Sequence, residues 1–185
     1  RGAMAWLLAL IANVFCFLVS ITLYSHVAQN GTITYALGGW DAPIGIEYRI
    51  DILSAYLLVL ISVIGCIVTF AAKNATPAEL SPRNHTLFYC IYLLCLAGML
   101  GIVATGDAFN LFIFLEIAAL SSYSLIAMGK DRRALTAAFT YLLVGTLGAT
   151  FILIGIGLLY MVTGTLNMHD LAQRLAELPH SRTLV

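Results

Sequence analysis

The residue of this sequence with the clearest potential for chemistry is Glu116, the one charged side chain deep inside an apolar run. The run Ala108–Met128 is centred near Ala118, so a helical rise of about 1.5 Å per residue places Glu116 roughly 3 Å from its middle. A carboxylate at the centre of a membrane helix costs roughly 3 kcal/mol. Such a group is protonated, paired with a cation, or facing water inside a helix bundle.

No Lys, Arg or His lies in the middle of any apolar run, so the sequence offers Glu116 no cationic partner. Either the carboxyl is neutral at pH 7, or its partner lies in polypeptide outside this chain. A structural alternative is a protonated glutamic acid that only hydrogen-bonds a neighbouring helix. We favour an ion or proton route, because ionisable groups inside membranes mark such routes by default.

Three further residues are weaker site candidates. Tyr123 lies seven residues after Glu116, so its phenol shares that face of the helix. Thr146 lies among small residues of a later helix, where its hydroxyl could hydrogen-bond across helices or hold water; packing alone is the alternative. Asp107 begins the helix of Glu116 but faces the opposite way, so capping is the role that we favour for it.

The composition predicts a membrane protein. The 185 residues are 61% hydrophobic and only 10% charged, with a mean hydropathy of +0.96, whereas a soluble domain carries roughly 25% charged residues. A water-soluble fold has no place for so much apolar surface. The formal net charge of zero gives no sign of nucleic-acid binding.

Five apolar runs are long enough to cross a bilayer, which takes about 20 residues per helix. They are Ala3–His26, Ile52–Ala72, Leu87–Thr105, Ala108–Met128 and Ala134–Thr163. The first three contain no Asp, Glu, Lys or Arg. We therefore predict an all-α polytopic membrane protein with five transmembrane helices, which forms one partial transmembrane domain over residues 1–185.

The segment Val27–Asp51, between the first two helices, differs from the rest. Thr32–Tyr35 and Ile44–Tyr48 have strand character, with glycine and proline turn residues between them. We predict a β-hairpin-like extracytoplasmic loop at the membrane surface, with its aromatic side chains at headgroup level. Asp51 is expected to cap the second helix, because a carboxylate accepts hydrogen bonds from free N–H groups there.

The remaining connections between helices are predicted to be loops. Lys73–Thr86 is polar and contains two prolines, and Gly129–Arg133 is a charged, solvated link between the fourth and fifth helices. Gly106-Asp107 alone separates the third and fourth helices, which predicts a tight antiparallel helical hairpin.

The tail that follows the fifth helix has an amphipathic pattern. Over residues 166–178, Leu171, Leu175 and Leu178 recur at helical spacing with polar residues between them. This pattern is typical of a short helix that lies along the membrane interface.

The distribution of Lys and Arg predicts the orientation of the chain. One end of the predicted helices carries six basic residues: Arg1, Lys73, Arg83, Lys130, Arg132 and Arg133. The other end carries three: Arg49, Arg174 and Arg182. The positive-inside rule places the first set, and the N-terminus of the chain, in the cytoplasm.

The cysteines give no sign of a metal or redox site. All four lie within apolar runs, and the closest pair has the spacing C-x4-C, unlike zinc or redox motifs. We expect Cys16, Cys66, Cys90 and Cys95 to be small buried hydrophobic residues. The sequence also lacks a glycine-rich dinucleotide motif and a haem-type ligand pair, so we expect no cofactor and no bound metal.

The stretch around Glu116 resembles a known family. Residues 106–116 follow the pattern D-x-F-N-L-F-x-x-x-E from Asp107 onward, and residues 121–127 read SSYSLIA. This is similar to the antiporter-like membrane subunits that respiratory complex I, membrane-bound hydrogenases and Mrp-type sodium/proton antiporters share. Residues 38–46, which read GGWDAPIGI, are most similar to the D-type subunit of the Mrp antiporters.

The resemblance implies that the chain is a fragment, spanning the second to sixth helices of a fourteen-helix subunit. Glu116 would be the buried glutamate of the family, which pairs with a lysine on the seventh helix, outside this chain. The pair would act as a charge switch that passes protons along the membrane midplane. Other membrane subunits of the same complex are the implied partners.

Three functions remain open. The first is H⁺ and Na⁺ or K⁺ translocation as a D-type component of a multi-subunit antiporter in the bacterial inner membrane. The second is proton pumping as a membrane subunit of an NADH–quinone oxidoreductase or membrane-bound hydrogenase, whose redox chemistry resides in other subunits. The third is a structural scaffold with an inert glutamate. In each case the partners are the lipid bilayer and neighbouring membrane subunits, and nucleic acid is not among them.

Overall fold

The computed structural model describes residues 2–81 and 84–177, and long helices dominate this part of the chain. They are α1 (Gly2–Asn30), α2 (Ile52–Glu79), α3 (His85–Ala104), α4 (Ala108–Ala127) and α5 (Arg132–Thr163). All five are long and apolar enough to cross a membrane. The predicted fold class is confirmed: the chain is an all-α, multi-pass membrane protein with one small two-stranded sheet in its described part.

The loop between α1 and α2 forms the predicted β-hairpin. Its strands, β1 (Ile33–Ala36) and β2 (Glu47–Ile50), pair in antiparallel fashion. The second strand begins three residues after the predicted Ile44, because the residues before it belong to the turn. The side chain of Ile50 is buried against Val27 at the end of α1, and this contact anchors the hairpin on the helix bundle.

Helix α2 is longer than the sequence indicates. The two prolines of Lys73–Thr86 predict a loop, but α2 continues through Pro77. Proline has no N–H and so removes one helical hydrogen bond. One residue before the proline, the hydroxyl of Thr76 donates to the carbonyl of Ala72 at 2.6 Å. The prediction of a loop is therefore wrong for residues 73–79, and also for His85 and Thr86, with which α3 begins.

Helix α5 begins inside the predicted link Gly129–Arg133. Asp131 caps this helix, since its Oδ1 accepts a hydrogen bond from the N–H of Arg133 at 3.0 Å. A carboxylate at this position satisfies a free N–H group and interacts favourably with the helix dipole. Arg132 and Arg133 consequently lie in the first helical turn, and the prediction that they belong to a loop is wrong.

Small residues allow the long helices to approach one another closely. Helix α1 packs mainly on α2, α3 on α4, and α4 on α5. A Cβ atom built on Gly98 of α3 would lie only 2.7 Å from the backbone nitrogen of Ala118 on α4. Contacts of this kind stabilise helix pairs in membranes, where hydrophobic burial between helices adds little. They hold α4, which carries Glu116, directly against α3.

The starts of α4 and of the short helix α6 (Met168–Glu177) are joined by backbone hydrogen bonds. The N–H of Ala108 donates to the carbonyl of Leu166 at 2.8 Å, and the N–H of Met168 donates to the carbonyl of Gly106 at 2.9 Å. The two bonds are reciprocal, as in a short antiparallel bridge. They fix the beginning of α6 to the hairpin end of the bundle.

Helix α6 occupies most of the predicted amphipathic segment 166–178. Leu171 and Leu175 are half-buried, whereas most of the other side chains of the helix face outward. Leu178 lies outside the described residues, as do Arg1, Arg83 and Arg182.

Candidate functional site

Glu116 lies near the middle of α4, where it is the ninth of twenty residues. Its side chain is half-buried and lines an open groove of about 360 Å³ between α3, α4 and α5. Apolar side chains occupy the rest of this part of the helix, because a membrane-spanning segment has to match the bilayer core. The helix therefore holds one carboxyl group at the depth where the bilayer is least polar.

The groove exists because its walls are built partly from small residues. These are Ala118 and Ala119 on α4, and Gly145, Gly148 and Ala149 on α5. Small side chains permit close helix packing elsewhere in the bundle. Beside Glu116 they leave an open space, and that space is large enough for water.

Two tyrosines line the groove. Tyr123 is 8% exposed, and its ring packs edge-on against Tyr141, with ring centroids 4.7 Å apart and an interplanar angle of 78°. The hydroxyl of Tyr123 lies against Gly145, where an added Cβ atom would overlap it. Tyr123 therefore lines the same groove as Glu116. Sequence reasoning missed Tyr141, although its position four residues before Gly145, on one helical face, could have indicated it.

Cys95 forms part of the α3 wall of the groove. It is buried, and its thiol lies 3.5 Å from the hydroxyl of Ser122. Cys16 and Cys66 are half-buried, whereas Cys90 is exposed on the bundle surface, so the prediction of a buried residue is wrong for Cys90.

Among the residues that the structure describes, the groove contains no basic side chain. Within residues 2–81 and 84–177, the one ion pair joins Arg174 to Asp170 at 2.9 Å, and it lies within α6, outside the groove. These residues also contain no group of three His, Cys, Asp or Glu side chains that could hold a metal ion. The chemistry that this arrangement allows is the binding and release of a proton at the carboxyl of Glu116.

Asp107 lies at the start of α4, away from the groove. Its Oδ1 accepts a hydrogen bond from the N–H of Asn110 at 2.7 Å, which makes it the N-cap residue of the helix. The hydroxyl of Thr105 accepts a hydrogen bond from the side-chain amide of Asn110 at 3.0 Å. Asp107 is only 6% exposed. Capping is the role that these contacts support, and a part in ion passage stays a prediction.

Asn167 caps the start of α6, as Asp107 caps α4, and it also connects α6 to the hairpin. Its Oδ1 accepts a hydrogen bond from the N–H of Asp170 at 3.1 Å. Its Nδ2 donates to the Glu47 carboxylate of β2 at 2.8 Å. The side chain of Asn167 therefore joins the hairpin to the start of α6.

Asp51 caps α2, as the sequence predicts. The N–H of Ser54 donates to its Oδ1 at 2.8 Å. This hydrogen bond, together with the smaller effect of the positive charge of Arg49, lowers the pKa of the Asp51 carboxyl below its ordinary value.

Thr146 does not line the groove. It is exposed, and its hydroxyl donates to the carbonyl of Leu143 in its own helix at 3.1 Å. A single residue step turns a helix by about 100°, so Thr146 points away from the groove that Gly145 borders. The structure does not bring Thr146 to Glu116.

The fold and this site define a class: multi-pass helical membrane proteins with a half-buried carboxyl group near the middle of one spanning helix. Residues 104–184, which include Glu116, match the protein family described as "NADH:quinone oxidoreductase/Mrp antiporter, TM". The same residues comprise the end of α3, all of α4 and α5, and the tail that follows.

Two curated relatives resemble nearly the whole chain. The N-type subunit of the NADH-quinone oxidoreductase of Desulforudis audaxviator is 45% identical over 90% of this chain and 33% of its own length. The D-type subunit of the Na⁺/H⁺ antiporter of Alkalihalophilus pseudofirmus is 36% identical over 94% of this chain and 34% of its own length. Residues 104–184 thus match the family that membrane subunits of NADH:quinone oxidoreductases and Mrp-type antiporters share, nearly the whole chain resembles such subunits, and it spans about a third of the length of these relatives.

A solved structure has the same arrangement of helices. It is a chain of the membrane-bound sulfane sulfur reductase, an archaeal respiratory membrane complex. The TM-score is 0.83 and the identity is 36%, with 89% of this chain and 33% of that chain covered. These relatives are named as subunits or chains of larger membrane complexes.

Proposed function

We propose that this chain forms the Glu116-bearing part of a proton- and cation-translocating subunit, similar to the D-type subunit of the Mrp-type Na⁺(K⁺)/H⁺ antiporters. The observation that carries the proposal is the half-buried carboxyl of Glu116, which faces a groove without a basic side chain in the described part of the chain. In a membrane, such a carboxyl holds a proton when no cation is near and releases it when a positive charge approaches. Exchange of H⁺ for another cation requires a step of this kind.

The groove supplies what a proton needs in order to reach the carboxyl. Small residues leave room for water beside Glu116, and the phenols of Tyr123 and Tyr141 line the same space. A hydroxyl group both donates and accepts hydrogen bonds, so it can order water molecules next to a carboxyl. Tyr123 acts in this proposal as a positioning residue.

The cation that pairs with Glu116 comes, in this proposal, from polypeptide beyond the described residues. Either a further part of the same polypeptide or another membrane subunit supplies it. The name of the Alkalihalophilus pseudofirmus relative, a component of an Na⁺/H⁺ antiporter, supports Na⁺ as the ion exchanged for H⁺.

We place the protein in the bacterial inner membrane with the beginning of the chain in the cytoplasm. Four basic residues of the described chain lie at that end of the helices: Lys73, Lys130, Arg132 and Arg133. Arg49 and Arg174 lie at the hairpin end. The positive-inside rule favours this orientation.

A second candidate is a proton-pumping membrane subunit of an NADH–quinone oxidoreductase. The 45% identity to the N-type subunit of Desulforudis audaxviator favours it. In that case the redox chemistry takes place in other subunits, and Glu116 receives and passes on protons in response to it.

An exchange assay in everted membrane vesicles distinguishes the two candidates. A pH gradient is imposed on vesicles that carry the native assembly, and Na⁺ or K⁺ is then added without an electron donor. An antiporter dissipates the gradient when the cation is added, whereas vesicles that lack the assembly keep it. A redox-driven pump leaves the gradient unchanged under these conditions and moves protons only when an electron donor and quinone are present.

A further inference from the structure

A second cavity lies at the end of the bundle away from the hairpin. Its volume is about 220 Å³, and it lies where the start of α1, the end of α2 and the start of α3 meet. Its lining includes the side chains of Trp6, Lys73, Thr76, His85 and Tyr89. None of the described residues that line this cavity is acidic. It is separate from the groove of Glu116, with which it shares no lining residue in the described chain.

The ammonium group of Lys73 gives the cavity a positive charge. Its Nζ lies 4.5 Å from the centroid of the Trp6 ring, and a cation in that position is attracted by the ring. The indole N–H of Trp6 donates to the carbonyl of Thr69 at 2.9 Å, so the ring is held in place. In the described part of the chain no carboxylate forms an ion pair with Lys73. The ammonium therefore has N–H donors available for an anion.

The start of α3 adds to this positive potential. The helix begins at His85, which lines the cavity, and the preceding Asn84 makes no side-chain capping hydrogen bond to this described helix. The free N–H groups of a first helical turn carry a partial positive charge and favour a nearby anion. A helix terminus and a lysine thus act on the same small space.

The inner wall of the cavity is closed by side chains whose polar groups are already paired. The hydroxyl of Tyr89 donates to the carbonyl of Ala72 at 3.3 Å and lies 3.4 Å from the hydroxyl of Thr76. Both side chains are only 4% exposed. The outer wall includes the Trp6 ring, which prefers the boundary between headgroups and acyl chains. The cavity therefore combines the positive charge of Lys73 with an apolar border formed by the Trp6 ring.

We propose that this cavity binds the phosphate group of an anionic phospholipid, with Lys73 as its counter-ion and the first turn of α3 as a source of N–H donors. Basic pockets between helix ends are suited to lipid headgroups because the anion meets a cation while the acyl chains stay in the bilayer. The lipid would belong to the leaflet on the side of Lys73 and Lys130. The proposal does not depend on ion translocation by Glu116.

Native mass spectrometry of the protein in its membrane assembly tests this proposal. The assembly is titrated with phosphatidylglycerol or with phosphatidylcholine, and the lipid-bound fraction is measured for each. One lysine near a membrane surface contributes about 1 kcal/mol to anionic lipid binding, so Lys73→Gln should weaken phosphatidylglycerol binding about fivefold. Phosphatidylcholine binding should not change.

Two control variants show whether a loss of lipid binding in Lys73→Gln comes from the missing charge at this cavity. Lys73→Arg keeps the charge and should retain phosphatidylglycerol binding, which separates loss of charge from misfolding. Lys130→Gln removes a charge at the same end of the bundle, where Lys130 donates to the carbonyl of Ala78 at 2.7 Å without lining the cavity. It should bind phosphatidylglycerol as the wild type does.

Three results would overturn the proposal. Equal binding by Lys73→Gln and the wild type would remove Lys73 from the site. Equal losses in Lys73→Gln and Lys130→Gln would indicate diffuse surface charge and no defined pocket. Full displacement of phosphatidylglycerol by millimolar inorganic phosphate would indicate a free phosphate ion as the ligand.

Discussion

The hydroxyl of Tyr123 lies in the space that a side chain on Gly145 would fill. Tyr123 belongs to α4 and Gly145 to α5, and both line the groove of Glu116. A glycine at this point allows a phenol to lie deep between two spanning helices. The contact between Tyr123 and Gly145 therefore serves two purposes: it lets α4 and α5 pack closely, and it places a hydroxyl group in the lining of the groove.

Gly145→Ala should weaken both the packing and the proposed activity. The new methyl group overlaps the Tyr123 hydroxyl, and overpacking of this kind typically costs about 1–3 kcal/mol. We expect a lower melting temperature and slower cation/proton exchange in everted vesicles. Gly155→Ala is the matched control, because a Cβ atom on Gly155 meets nothing within 4 Å in the described chain. Equal behaviour of the two variants would show that the contact has no role.

Tyr123→Phe should slow exchange without preventing assembly, because it removes the hydroxyl and keeps the ring that packs against Tyr141. Thr146→Val is the comparison variant. Thr146 is exposed and does not line the groove, so its loss should leave exchange unchanged. Initial rates of cation/proton exchange, measured at matched protein levels, compare the two variants with the wild type. A larger defect in Thr146→Val than in Tyr123→Phe would contradict the assignment of the groove.

The two possible roles of Asp107 are separated by Asp107→Asn and Asp107→Ala. Asparagine still accepts the hydrogen bond from the N–H of Asn110, whereas alanine cannot and should cost about 0.5–2 kcal/mol. If Asp107 only caps α4, Asp107→Asn retains exchange and stability while Asp107→Ala loses stability. Loss of exchange in a stable, assembled Asp107→Asn variant would instead assign the carboxylate to the ion route.

The stability contributed by Asp51 should depend on pH. Its pKa is lowered in the folded state, chiefly by the hydrogen bond from the Ser54 N–H, while an unfolded Asp titrates at about 3.9. Its contribution is therefore present above about pH 4 and disappears as the pH falls through the folded-state pKa.

Thermal melts of the wild type and of Asp51→Ala in detergent, at pH 6 and at pH 3, measure this effect. The wild type should have the higher melting temperature at pH 6, and the difference should shrink at pH 3. A difference that stays constant or increases on acidification would show that the cap stabilises α2 without its charge.

Local sequence patterns were sufficient to predict the apolar helices, the hairpin and the position of Glu116 near the middle of the fourth helix. Hydropathy over about 20 residues determines which segments enter a bilayer, and one carboxyl within such a segment is conspicuous. The cap at Asp51 was also predictable from local sequence, because the hydrogen bond that forms it joins Asp51 to Ser54, three positions further along the chain.

Features that depend on contacts between distant residues could not be predicted. The hydrogen bond between Asn167 and Glu47 joins residues 120 positions apart. The contact between the Tyr123 hydroxyl of α4 and Gly145 of α5 likewise joins residues on different helices. The groove itself results from small residues on two helices, and their alignment requires the packed bundle.

Cation/proton exchange by Glu116→Gln, in everted vesicles that carry the complete native assembly, tests the central claim most directly. Glutamine keeps the size and hydrogen-bonding capacity of the side chain but cannot bind and release a proton. We predict normal assembly with exchange abolished, and partial exchange in Glu116→Asp, which keeps a carboxyl. Wild-type exchange rates in an assembled Glu116→Gln variant would contradict a role in translocation and make the glutamate a structural residue.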